Sequence, residues 1–168
     1  MATMHIEEIM AIARRAHSDA AFREGLFSAL QGDDHTEAVH AAWALTHLPK
    51  EDNNHIAYHR EDLTHKAIST PDTSLRRLTL SLLERLDWST DDPPEHYLQL
   101  LDFCFQHMMS ADEPYGVRSL CMKLAYSISL PYPELLGELR QSLLLLEPTE
   151  LGAGVRCTRN KLLKAIKQ

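Results

Sequence analysis

Glycine is scarce, with six in 168 residues, and no run of β-branched residues alternates apolar with polar. Both shortages count against a turn-rich β architecture. Cysteine is sparse too: Cys104, Cys121 and Cys157 are odd in number and widely spaced, so neither a disulfide framework nor a C-x-x-C pair is expected. Long hydrophobic runs are missing. The longest aliphatic run covers 143–146, and the opening MATMHIEEIM carries Glu7 and Glu8 where a secretory leader has a basic start. No membrane contact follows from this, and a cytoplasmic protein is expected. There is no glycine-rich phosphate loop, no Walker motif and no Ser-His-Asp order.

Positive charge is lacking everywhere but at one end. Of 17 Lys and Arg, five (Arg156, Arg159, Lys161, Lys164 and Lys167) lie in residues 152–168, which hold no acid. The other 151 residues carry 12 basic against 24 acidic side chains, a net −12. Such a body repels phosphate over most of its length, which disfavours nucleic acid as a general partner while leaving a local contact at the basic end open.

What is present is helical periodicity. Apolar residues are 44% of the chain, and at 168 residues folding should bury roughly 70% of the extended surface. They recur at spacings of three and four, predicting nine helices at 5–18, 20–31, 35–48, 54–69, 73–87, 94–109, 114–129, 132–146 and 152–167. The breaks are chemical. Asp34, with Glu37 three residues on, and Asp72 are placed to cap helices, because a carboxylate accepts the unpaired first-turn N–H groups. Pro93, Pro114, Pro131 and Pro133 stand where a first turn tolerates a missing donor, and Gly152 and Gly154 loosen entry to the last helix. No linker is long enough to divide two domains, so one domain over 1–168 is expected.

Pairing these helices exposes a period. Val39-His40, Leu75-Arg76, Val117-Arg118 and Val155-Arg156 stand at one place in successive second helices, 36, 42 and 38 residues apart, each preceded by an acid. Apolar stripes follow, as in Leu75-Leu78-Leu82-Leu86 and Val117-Leu120-Cys121-Leu124-Ile128.

An acidic turn followed by Val-Arg at the start of a second helix resembles the HEAT and armadillo-type repeat proteins, over about 20–167. AAWALTHL at 41–48, SLRRLTLSLLERL at 74–86, LLDFCFQHM at 100–108 and YPELLGEL at 132–139 also resemble a narrower family of short bacterial HEAT-like proteins. Some of its members are labelled adenylosuccinate lyase. Lyases of that superfamily are much longer and use a Gly-Ser-Ser mobile loop, and this chain has no Ser-Ser pair. The resemblance implies an all-α, right-handed α–α superhelix of about four helical pairs plus a capping helix, with second helices lining its concave side.

Several residues invite chemistry. His55 and His59 stand four apart with Glu61, Asp62 and His65 nearby, but HIAYH lacks the acid of H-E-x-x-H and no third ligand is fixed by spacing. They read as a solvated helix face, and no metal or other cofactor is expected. His40, Trp43 and His47 share a face with Glu37 one turn earlier; no nucleophile or oxyanion donor accompanies them, so no catalytic residue is assigned. Trp43 fits either helix packing or a binding anchor. Arg76, Arg77, Arg118 and Arg156 read either as an inter-repeat ladder with the cap acids or as a strip meeting an acidic partner or phosphate, as HEAT-like DNA glycosylases illustrate. Met108, Met109, Met122, Phe103 and Phe105 read as core, and Trp88 as a loop residue partly exposed or folded over a helix end. The expected function is non-enzymatic binding of another protein, through Trp43, His47, Arg76, Arg77, Arg118 and Tyr126. The alternative is a small nucleic-acid-binding or base-repair-like protein using Arg156, Arg159, Lys161, Lys164 and Lys167.

Overall fold

A computed structural model describes residues 4–166. Those residues form ten α-helices and no strand. They fall into two compact units, Met1–Leu86 and Asp87–Gln168.

The first unit holds α1 (Ile6–Ser18), α2 (Ala20–Gln31), α3 (His35–Thr46), α4 (Asn53–Tyr58, entered through a 3-10 turn, Lys50–Asp52), α5 (Arg60–Ser69) and α6 (Thr73–Glu84). Three helix starts are fixed by aspartates whose carboxylates accept backbone N–H groups: Asp19 from Phe22 at 3.0 Å, Asp34 from Glu37 at 3.0 Å and Asp72 from Leu75 at 2.6 Å. Each satisfies a donor the helix itself leaves unpaired, a contribution of about 1 kcal/mol. The single helix expected at 54–69 is two. The chain breaks at His59, whose backbone N–H turns back to Ile56 and whose ring stacks on Phe27. Inside the unit α3 packs against α1, α2 and α6, and α5 packs against α6. The stripe Leu75-Leu78-Leu82 of α6 is buried, with Phe27, Leu30, Leu45 and Leu63 as its company in the core. Each such side chain contributes about 2 kcal/mol by leaving water.

The second unit holds α7 (Glu95–Met108), α8 (Tyr115–Ser129), α9 (Pro133–Leu145) and α10 (Ala153–Ile166), with a 3-10 turn at Pro148–Glu150. Here α8 packs against α7, α9 and α10, burying Leu100, Met108, Val117, Met122, Leu139 and Val155. Trp88 belongs to this core, 2% exposed and edge-on to Tyr97 at 4.7 Å between ring centres, which removes the partly exposed option. Cys104 and Cys121 are also buried, and burial, then the neighbouring Cys121, pushes the Cys104 thiol well above its ordinary value. Gly152 does more than loosen an entry: a Cβ there would lie 2.8 Å from the ring of Tyr115, so a side chain at the entry to α10 would require that exposed ring to move. No described helix is long and apolar enough to cross a membrane.

Candidate functional site

The recurring arginines go to helix ends. In α8, Arg118 is 4% exposed and its Nε donates to the carbonyl of Met108, the last residue of α7, at 3.0 Å. Arg76 of α6 donates through Nε to Ala67 at 2.9 Å and through Nη2 to Thr70, closing α5. Arg159 of α10 donates through Nε to Leu143 near the end of α9 at 2.8 Å, and Arg23 of α2 donates through Nη1 to Ala16 near the end of α1 at 2.9 Å. Arg85, at the end of α6, reaches Pro49 at 3.0 Å and Thr46 at 3.4 Å, where α3 ends. Helices leave their last carbonyls unpaired and carry partial negative charge there, so a cation from the next helix meets both needs. A charge-assisted hydrogen bond of this kind contributes about 2 kcal/mol when shielded.

Two expectations change accordingly. Arg76 and Arg118 leave the partner-binding set, because their guanidinium groups are committed to backbone carbonyls at helix ends. Arg159 leaves the basic strip for the same reason. Arg77 and Arg156, by contrast, are exposed. Spacing alone put Arg156 in the recurring column, whereas Arg159, one turn on, does the work.

What remains open is a face of the first unit. Thr36, Val39, His40, Trp43 and His47 form a continuous half-buried stripe along α3. A cleft lies at each end of it. One, of about 620 Å³, is lined by Ile12, Phe22, Leu26, Glu37 and His40 among others. The second, of about 370 Å³, lies where α1 meets the end of α3, and its walls are Met10, Ala13, Arg14, His17, His47 and Pro49. On α1, Ile6 and Met10 expose 49% and 36% of their surface, an apolar stripe one turn apart that nothing described covers.

Behind the second cleft stands a buried carboxylate. Asp52 is 4% exposed, and its Oδ2 lies 2.7 Å from His17 Nδ1. With Nδ1–H donating to Asp52, an assignment made from the contact, the other ring nitrogen of His17 is directed away from the carboxylate. His55 Nε2 is 4.0 Å from Asp52 Oδ1. Burial pulls the Arg85 guanidinium below its ordinary value while Asp52 pushes it back up, so Arg85 and Asp52 feel each other as opposite charges.

The histidines singled out for spacing have separate partners: His55 faces Asp52, and His59 Nε2 meets Glu24 at 2.8 Å. Among the described residues no group of three His, Cys, Asp or Glu has the arrangement to hold a metal ion. Tyr126 is half-buried on α8 in the second unit. Arg156, Lys161 and Lys164 are exposed on α10, and Lys167 lies outside the described residues. Helix α1 lines the second cleft through Met10, Ala13, Arg14 and His17, a role that its sequence alone does not announce.

Helices α1, α5, α7 and α9, each closed by an arginine of the helix paired with it, define a helical-repeat protein. The sequence matches the HEAT repeat domain family over residues 1–166, and the chain belongs to that family. Neither a curated protein nor a solved structure matches the sequence.

Proposed function

We propose that the protein is a non-enzymatic module that binds another protein through the α1–α3 face of its first unit. One observation carries this: Ile6 and Met10 stand exposed on α1 beside a cleft that His47 shares, with Trp43 half-buried one turn earlier on α3. Exposed aliphatic residues next to an aromatic anchor and a concave hollow are the ordinary makings of an interface core. Membership of a HEAT repeat family, whose helical scaffolds often carry protein contacts, agrees with the reading. The recurring arginines support a non-catalytic role, since they serve helix ends.

The test is capture from native lysate with the unaltered protein and with a Met10→Asp, Trp43→Ala variant, both checked for the same melting temperature. A retained protein that the variant loses by about tenfold or more supports the interface. Equal retention by a variant that melts normally overturns it.

A second reading rests on Arg156, Lys161 and Lys164, which spread over the exposed side of α10. Three phosphate contacts would give a salt slope of about −2.7 in log affinity against log salt on duplex DNA. Absence of retention on DNA at low salt removes it.

A further inference from the structure

We infer that the cleft between α1 and the end of α3 is a binding site for a carboxylate carried on a short apolar stem. The cleft offers two kinds of surface. Met10, Ala13 and Pro49 supply an apolar wall, and Arg14, His17 and His47 supply donors, within a hollow of about 370 Å³. That size is at the lower end of small-molecule sites, and a few convergent polar groups on apolar walls are what such sites use to orient a ligand.

Charge selects the ligand. Arg14 is exposed on α1, and no described carboxylate pairs with it. Its five N–H donors match a carboxylate in the bidentate manner. His17 is held from behind by Asp52 at 2.7 Å, so its ring is oriented before any ligand arrives. The negative charge of Asp52 does not oppose the ligand in full, because the Arg85 guanidinium lies close enough to Asp52 to feel it as an opposite charge and offsets it. One permanent cation and two imidazoles suit a monoanion. The apolar half of the lining adds affinity only if the anion brings a hydrocarbon stem, at about 0.8 kcal/mol per buried methylene. Glu7 lines a neighbouring hollow with Ile6, Met10 and Arg14, not this cleft.

Two sources share this chemistry, a free small acid and the carboxyl end of a polypeptide. The experiment is an NMR titration that follows the imidazole signals of His17 and His47 in the full chain. Hexanoate, hexanol, inorganic phosphate and acetyl-Leu-Leu with a free carboxylate are the probes, and Arg14→Gln is the variant. Hexanoate is expected to move both signals saturably and to bind about tenfold tighter than hexanol, with Arg14→Gln losing about tenfold of that affinity. Arg14 is exposed, so the variant should melt with the unaltered protein. Tighter binding of acetyl-Leu-Leu than of hexanoate assigns the site to a polypeptide end, and the reverse order to a free acid; either supports the site. Equal binding of hexanol and hexanoate, tighter binding of phosphate than hexanoate, or no saturable shift overturns it. None of these probes needs a partner protein, so failure here leaves the proposed interface to its own test.

Discussion

Each unit contains a histidine stacked on a phenylalanine and paired with a glutamate, and the two arrangements are nearly superimposable in their distances. In the first, His59 lies 3.9 Å from the Phe27 ring centre and 2.8 Å from Glu24. In the second, His107 lies 3.8 Å from Phe103 and 2.8 Å from Glu113. Sequence distance and solvent separate them. His59 and Glu24 are 35 residues apart and join α2 to the α4–α5 break, but the Glu24 side chain is 53% exposed. His107 and Glu113 are six apart and close one turn, with the Glu113 side chain 11% exposed. Length of contact does not decide strength; the hydration of the carboxylate does. A glutamate left in water after its partner is removed loses little, whereas one left shielded loses the compensation for its desolvation.

The largest effect that sharpens this contrast is expected away from both triads. Arg118→Ala should destabilise the protein by about 3 kcal/mol in denaturant unfolding, because it strands the Met108 carbonyl and leaves a void, while Arg77→Ala next to Arg76 should stay within about 0.5 kcal/mol. His107→Ala should cost about 2 kcal/mol and His59→Ala about 1 kcal/mol, with His59→Ala the more salt-sensitive of the two. Double-mutant cycles should give a coupling of about 1.5 kcal/mol for His107 with Glu113 and about 0.5 kcal/mol for His59 with Glu24. Equal couplings would break the comparison and make geometry the governing term. The smallest effect is at Gly152→Ala, about 0.5 kcal/mol, since the exposed Tyr115 ring can swing aside; Tyr115→Ala in the same chain should restore the loss.

How far these devices can be read from sequence depends on what their partners are. Helix starts are legible because their partners are letters: Asp34 and Asp72 announce caps, and both cap. The arginine period is legible as a period, but its acceptors are backbone carbonyls, which every residue has and no letter marks. That is why Arg23 escapes notice and Arg159 reads only as part of a basic strip, while Arg156 and the cap acids attract attention. The break at His59 is hidden for a related reason: HIAYH is locally a good helix, and the ring that ends it stacks on Phe27, 32 positions back. The cleft is least legible of all. It joins Arg14 and His17 of one helix to His47 at the end of another and relies on Asp52 in a 3-10 turn, so nothing short of the packed unit brings those residues together.

The arginine at each helix end has a consequence for how such a chain can change its length. Each of the hairpins α5–α6, α7–α8 and α9–α10 carries an arginine that closes its own first helix, whereas the end of α3 takes its cation, Arg85, from α6. Duplication or excision of α7–α8 or of α9–α10 as a unit therefore leaves the other arginine closures whole, whereas a cut through either hairpin orphans both a guanidinium and a row of carbonyls. Lineages of this protein should gain and lose material in whole helix pairs, as a chain is lengthened by links and not by fractions of a link.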